Sequence, residues 1–182
     1  SACKVPAMTA RCVRMAPLDS PVVPPVYWRK ATLSRVLGAG RKDESGDFTK
    51  GAGLDADSIA RVVAFTEVTA LDRGEVIAKL AALVGSSEEG QKGIAELKEI
   101  DVILRAAGYE DRRVRFDPSI VRGLAYYTGP VVEAELLGEV TNEDGQVVRF
   151  GAVASGGRYD DLVTRFKGVE VPATGVSIGV SR

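Results

Sequence analysis

The stretch Arg122–Gly129 reads RGLAYYTG, and the largely apolar run Pro130–Leu136, PVVEAEL, follows it directly. After a turn at Asn142–Gly145, a second β-forming run, Val147–Ala154, ends in SGGRYD at Ser155–Asp160. Two runs of β-forming residues joined through an Asp-Gly turn are typical of a β-hairpin. The sequence therefore predicts two antiparallel strands with a glycine-rich and tyrosine-rich segment at either end.

The residues at the two ends of this hairpin have the chemistry of a binding site rather than of a core. Glycines let a backbone approach a ligand closely. Tyrosines offer a ring face and a hydroxyl, and the arginine fork matches carboxylates and phosphates. The candidate binding residues are Arg122, Tyr126, Tyr127, Gly156, Gly157, Arg158 and Tyr159.

These motifs carry a family resemblance. RGLxYYTG and GGRYD resemble the two signature motifs of histidyl-tRNA synthetase, a class II aminoacyl-tRNA synthetase. Gly175–Arg182, GVSIGVSR, is similar to the class II motif 3. The resemblance extends from about Gly38 to Arg182. The family's motifs 1 and 2, and its anticodon-binding domain, have no counterpart here, so the resemblance implies a catalytic-core fragment that includes part of the insertion region.

The resemblance also implies roles for individual residues. Arg122 holds the position of the arginine that bridges the histidine carboxylate and the α-phosphate of ATP. Arg182 matches the motif 3 arginine that holds ATP phosphate. The histidine pocket is matched by Tyr126, Tyr127, Gly156, Gly157, Arg158 and Tyr159. The reaction implied is histidyl-adenylate formation in cytoplasmic protein biosynthesis. ATP is a substrate with Mg²⁺, tRNA is the partner of the full-length family, and we expect no metal site built from protein ligands.

Simpler interpretations of the same residues stay open. Arg122 could pair with Glu133 or Glu135 across a strand. Tyr126 and Tyr127 are adjacent, so on a strand they would point to opposite faces, with one of them in the core. The pair Gly156 and Gly157 could be no more than a tight turn. Ala125 departs from the aspartate that is common in the family at this point.

The missing motifs bear on activity and assembly. Motif 2 supplies another ATP-phosphate arginine in the family, and motif 1 supplies most of the dimer interface. Loss of one transition-state donor commonly costs roughly 100- to 1,000-fold in rate. We therefore expect that the chain alone does not charge tRNA. An incomplete sheet also leaves edge strands that invite pairing, which favours a homo-oligomer.

Composition excludes several other classes of protein. The net charge is −1 over 182 residues, so no overall basic field draws the chain to nucleic acid or to an anionic membrane. No apolar run approaches the length of a membrane span. Histidine is absent, which removes the usual general base and the commonest metal ligand. Cys3 and Cys12 are the only cysteines, as expected for free thiols in a reducing cytosol.

The sequence pattern divides the chain into three parts. Residues 1–28 form a Pro-rich tail unlike the family, in which we expect neither a regular helix nor a central strand, because proline fixes φ and lacks an N–H. Residues 29–110 form a mainly helical, insertion-like subdomain that opens with a short helix over 29–37. Residues 111–182 form part of a class II synthetase-like antiparallel sheet. The predicted class is α+β.

Three longer helices are predicted from apolar periodicity. The first is capped by Asp57 or Ser58, the second runs from about Asp72 to Leu83, and the third starts after Ser86 or Ser87. Their apolar stripes are expected to form the core. The stripe residues are Ile59, Val62, Val63, Leu71, Val76, Ile77, Leu80, Leu83, Ile94, Leu97, Ile100, Ile103 and Leu104.

A different class of enzyme is indicated by Gly175–Gly179, GVSIG, which fits the G-x-S-x-G nucleophile elbow of serine hydrolases. Ser177 would be the nucleophile of an esterase, with Lys167, Asp160 or Asp161 as the base. The family precedent favours a helix from Val176 to Val180, whereas local β-propensity favours a strand. A third possibility is a non-catalytic paralogue that binds histidine or a partner protein.

Overall fold

The computed structural model describes residues 12–15, 30–42, 46–120, 126–135, 140–141, 145–148 and 152–179. The helices in these ranges are α1 (Lys30–Leu37), α2 (Ala56–Thr66), α3 (Arg73–Val84), α4 (Glu88–Ala106) and α5 (Asp160–Lys167). The strands are β1 (Cys12–Met15), β2 (Gly40–Lys42), β3 (Phe48–Lys50), β4 (Val114–Phe116), β5 (Val131–Glu135), β6 (Val140–Thr141), β7 (Val147–Val148), β8 (Ala152–Arg158) and β9 (Thr174–Ile178).

The predicted hairpin is present as the middle of a five-stranded sheet. The strand order is β4-β1-β5-β8-β9. β5 and β8 pair antiparallel, with Val131 opposite Gly157 and Ala134 opposite Ala154. β9 continues the antiparallel pattern beside β8. β6 and β7 form a short ribbon between the two arms of the hairpin.

Strand β1 shows that the expectation for the Pro-rich tail was wrong. Cys12–Met15 lies between β4 and β5, antiparallel to the first and parallel to the second. Pro6 and Pro17 flank this segment, which itself contains no proline. A proline keeps its own residue out of a ladder but does not prevent a proline-free segment nearby from pairing. The high proline content of the tail as a whole is therefore a poor guide to its proline-free segment, which forms the short strand β1.

The starts of the three long helices follow local capping chemistry. The carboxylate of Asp72 accepts the Glu75 N–H at the start of α3, and the hydroxyl of Ser87 caps α4. The start of α2 was predicted too late, because Asp55 is the cap. Its carboxylate accepts both the backbone N–H and the hydroxyl of Ser58. These hydrogen bonds lower the pKa of the Asp55 carboxyl.

The hydrophobic core lies where α3 and α4 pack on one face of the sheet near β4. Five of the thirteen predicted stripe residues are buried in this core, whereas Leu71 and Ile103 are 73% and 66% exposed. Leu71 precedes α3, and Ile103 lies six residues after Leu97, which turns it off the buried face. The core residues are Val76, Ile77, Leu80, Ile94, Leu97, Val114 and Phe116.

Arg73 joins the helical part to the sheet at the edge of this core. Its side chain is 1% exposed. Its guanidinium donates to Asp101 at 2.6 Å, to the Val114 carbonyl at 2.9 Å and to the Tyr109 carbonyl at 3.0 Å. Burial on its own raises the pKa of Asp101, but the hydrogen bonds and charges of Arg73 and Arg105 outweigh it and hold that pKa below its usual value.

The fold is α+β, as predicted, with a helical part and a mainly antiparallel sheet. Val114–Phe116 forms the short strand β4, and the residues directly after Tyr159 form α5. In the parts of the chain that the structure describes, no helix is both long enough and apolar enough to cross a membrane.

Candidate functional site

The tyrosines of the two signature segments form a single cluster. The rings of Tyr126 and Tyr127 are 4.6 Å apart between centroids, and the Tyr126 ring meets the Tyr159 ring edge-on at 6.1 Å. Tyr126 and Tyr127 lie before β5 rather than within a strand, so the strand alternation that would have put them on opposite faces does not apply. All three rings are half-buried. They form an aromatic wall that remains partly open to solvent.

Two buried glycines give this wall its shape. Gly156 and Gly157 lie within β8, not in the tight turn that was considered as an alternative. A Cβ atom on Gly157 would lie 2.8 Å from the Tyr127 ring and 2.7 Å from the Pro130 carbonyl oxygen. At Gly156, a Cβ atom would collide with the Gly175 carbonyl oxygen. Both positions therefore need glycine for close approach between neighbouring segments.

Hydrogen bonds between Thr128 of the first signature segment and Arg158 and Asp160 of the second hold the two segments together. We call this group the polar lock. The Thr128 N–H donates to the Arg158 carbonyl at 2.9 Å. The Thr128 hydroxyl donates to an Asp160 carboxylate oxygen at 3.2 Å and accepts the Asp160 N–H at 3.0 Å. The other Asp160 oxygen accepts the Ala173 N–H at 2.9 Å. Asp160 is thus engaged on both oxygens, and sequence reasoning missed Thr128 as a site-building residue.

Comparison with known proteins gives this cluster a context. Residues 29–182 match the family model described as histidyl-tRNA synthetase. The chain belongs to the histidyl-tRNA synthetase family. The match starts just after the Pro-rich tail, so strand β1 comes from outside the family region, while the tyrosine cluster and the polar lock lie inside it.

Curated relatives agree with this assignment. The chain is 57% identical over 147 residues to the histidine–tRNA ligase of Jannaschia sp. (strain CCS1). It is 59% identical over 147 residues to that of Brucella suis biovar 1 (strain 1330). Each alignment covers 81% of this chain and 29% of the relative. The chain therefore spans less than a third of the length of these synthetases.

Solved structures show the same fold. The histidyl-tRNA synthetase from Nostoc sp. PCC 7120 aligns with a TM-score of 0.56 at 30% identity, over 70% of this chain and 28% of that one. A structure described as an ATP phosphoribosyltransferase regulatory subunit/histidyl-tRNA synthetase from Bacillus halodurans C aligns with a TM-score of 0.52 at 27% identity. That alignment covers 69% of this chain and 29% of the other.

The structure brings together most of the residues that the synthetase motifs predicted for the histidine pocket. Tyr126, Tyr127 and Tyr159 meet in the cluster, and Arg158 lies beside it, where its guanidinium contacts Glu96 of α4. Glu96 had no local sequence signal, since it lies 62 residues before Arg158. The two predicted ATP-binding arginines, Arg122 and Arg182, lie outside the described residues, as does Ala125.

The geometry at Ser177 contradicts the esterase hypothesis. A nucleophile elbow places its serine on a strained turn between a strand and a helix. Ser177 instead lies in the middle of the extended strand β9, directly opposite Ser155 of β8. The helix that family precedent favoured for this region is also absent from Thr174–Ile178, because local β-propensity and pairing with β8 prevail.

The described part of the chain lacks a cluster of side chains that could bind a metal ion. No group of three or more His, Cys, Asp or Glu side chains there is arranged to hold a metal ion. The Asp160 carboxylate accepts hydrogen bonds from the Thr128 hydroxyl and the Ala173 N–H.

Proposed function

We propose that this chain forms the histidine-binding wall of a histidyl-tRNA synthetase catalytic core. The observation that supports the proposal is the cluster of Tyr126, Tyr127 and Tyr159. These rings come from the two segments that resemble the family's histidine motifs, and the Thr128–Asp160 lock holds them in one place. A pocket with aromatic faces and few fixed polar groups suits an imidazole side chain.

The reaction served by this wall is adenylate formation. An oxygen of the histidine carboxylate attacks the α-phosphorus of ATP, the new O–P bond forms, and the bond to the leaving pyrophosphate breaks. Two anionic groups approach each other, so nearby positive charge stabilises the transition state. Arg122 bridges the carboxylate and the α-phosphate, and Arg182 holds ATP phosphate. A hydroxyl at the tRNA 3′ end then attacks the histidyl carbonyl, an ester bond forms, and the bond to the phosphate breaks with release of AMP.

Magnesium enters this reaction with ATP, whose phosphate charge it neutralises. The described residues contain no metal-binding cluster of their own. The contribution of these residues is to bind and orient histidine, and no step at the metal ion is assigned to them.

We infer that these 182 residues do not complete the reaction on their own. The chain covers only 29% of the length of its curated relatives. The phosphate-binding arginine and adenine clamp of the family's motif 2 have no counterpart in the sequence. Loss of such groups costs orders of magnitude in rate. Purified chain should therefore bind histidine without catalysing histidine-dependent exchange of pyrophosphate into ATP.

Calorimetry with histidine tests the binding proposal, and Gly157→Ala provides the decisive variant. The added methyl would overlap the Tyr127 ring, so we expect histidine binding to weaken by at least roughly tenfold. Ala78→Val adds bulk at an exposed position on α3 and should leave binding unchanged. A parent chain that binds no histidine would refute the proposal. Strong pyrophosphate exchange by the parent would refute the inferred incompleteness.

A second function is favoured by the Bacillus halodurans comparison, whose description includes a regulatory subunit of ATP phosphoribosyltransferase. In that case the chain would bind histidine as a non-catalytic paralogue. A histidyl-adenylate analogue separates the two functions. A partial synthetase site that keeps Arg122 and Arg182 should still bind such an analogue more tightly than histidine. A purely regulatory site binds histidine at least as tightly as the analogue.

A further inference from the structure

Arg158 of the second signature segment is held by a side chain from the helical part of the molecule. Its Nη1 and Nη2 atoms lie 3.2 Å and 3.3 Å from the two carboxylate oxygens of Glu96 on α4. The side chains are 36% and 28% exposed, so water screens this pair only in part. A two-point contact between guanidinium and carboxylate fixes the orientation as well as the position of the fork.

The other edge of the same guanidinium faces the first signature segment. Nη2 donates to the Thr128 carbonyl at 3.1 Å. A Cβ atom on Gly129 would lie 2.5 Å from Nε, so the guanidinium packs directly against the backbone there. Nε is also 3.0 Å from an Asp160 oxygen, but the direction is poor for a hydrogen bond. Among the described residues, Nε has no aligned acceptor.

We propose that Glu96 is a positioning residue for the Tyr126–Gly129 segment and acts through Arg158. Arg158 lies between two carboxylates, those of Glu96 and Asp160. With Glu96 removed, Asp160 is the carboxylate that remains at the guanidinium among the described residues, and we expect the fork to turn toward it. That rotation takes Nη2 away from the Thr128 carbonyl. The helical subdomain thereby sets the place of the tyrosines that face the proposed histidine site.

The consequence for histidine rests on the proposed function, whereas the consequence for the segment itself does not. Loss of the Glu96 contact should loosen the segment that carries Tyr126 and Tyr127 without disturbing the core between α3 and α4. Val76 and Leu80 belong to the core cluster of α3, α4 and β4, whereas Arg158 hydrogen-bonds to the Thr128 carbonyl. Local and global effects can therefore be told apart.

Hydrogen–deuterium exchange measures the local effect directly. The Thr128 N–H, which donates to the Arg158 carbonyl, is the reporter. In Glu96→Ala we expect its exchange to accelerate by roughly tenfold, the loss expected for about one charge-assisted hydrogen bond, with no change at Val76 and Leu80. Glu96→Gln keeps one acceptor oxygen and should give a smaller increase. Glu99→Gln, an exposed position on the same helix, should give none.

Histidine affinity, measured by calorimetry on the same variants, should fall in the same order. Unchanged exchange at Thr128 in Glu96→Ala would overturn the proposal. Equal acceleration at Thr128 and in α3 would also overturn it, since that result indicates a general loss of stability. If the parent binds no histidine, the proposed function fails, but the exchange measurement still decides the role of Glu96.

Discussion

At the scale of single residues, a buried charge that is fully paired stabilises the molecule only while its partners stay ionised. Arg73 is almost completely buried and relies on Asp101 for its shortest contact, 2.6 Å. Asp101→Asn removes that charge and leaves Asp111, at 3.3 Å, as the nearest carboxylate. We expect a loss of about 1–3 kcal/mol in the free energy of unfolding. The exposed control Glu99→Gln on the same helix should change it little.

The pH dependence of this cluster follows from the direction of its pKa shift. The folded-state pKa of Asp101 lies below its ordinary value of 3.8. The contribution of ionised Asp101 to the free energy of unfolding is therefore complete above pH 3.8 and is lost as pH falls through the folded-state pKa. Urea unfolding at pH 6 and pH 3 should show that the difference between wild type and Asp101→Asn shrinks at the lower pH. A difference that grew on acidification would contradict the assigned sign.

At the scale of elements, local sequence chemistry predicted the helices better than it predicted strand partners. Asp72 and Ser87 mark helix starts through caps that satisfy nearby N–H groups, so a few residues suffice. The partner of a strand depends on distant segments. The proline-free β1 within the Pro-rich tail, and the choice of strand over helix at Val176, both depend on neighbours in the sheet.

Strand β1 is an element whose removal has a definite expected effect. It is paired with both β4 and β5, which do not neighbour each other in the sheet. Deletion of residues 1–28 removes β1. The backbone N–H and C=O groups of β4 and β5 that pair with β1 then lose their hydrogen-bond partners. We expect the melting temperature to fall by roughly 5–15 °C, for a loss of a few hydrogen bonds at about 1 kcal/mol each. Thermal unfolding followed by circular dichroism measures this change.

A shorter deletion, of residues 1–11, is the matched control because it keeps Cys12–Met15. It should melt close to the full chain. Equal melting of both deletions and the parent would show that β1 contributes nothing to the sheet. Equal destabilisation by both would assign the effect to residues 1–11 instead.

At the scale of the whole molecule, sequence motifs singled out the tyrosines that form the cluster but not the contacts that support it. Tyr126, Tyr127 and Tyr159 were identified from two short motifs, and the structure brings them together. Their relative placement was missed, because strand alternation was assumed for residues that precede the strand. Glu96 was missed because a contact between an insertion-like helix and the sheet has no signature in either segment.

The outer edge of the sheet carries the last prediction. β9 is the terminal strand in the order of the sheet, and its Val176 and Ile178 side chains are 66% and 67% exposed. An apolar edge strand with unpaired backbone groups invites pairing with another chain. We therefore expect a homo-oligomer at micromolar concentration, measured by light scattering. Val176→Lys places a charge on the edge and should shift the population toward monomer. Val102→Lys, equally exposed on α4, should not. A parent chain that is already monomeric, or an equal effect of both lysines, would exclude β9 as the assembly surface.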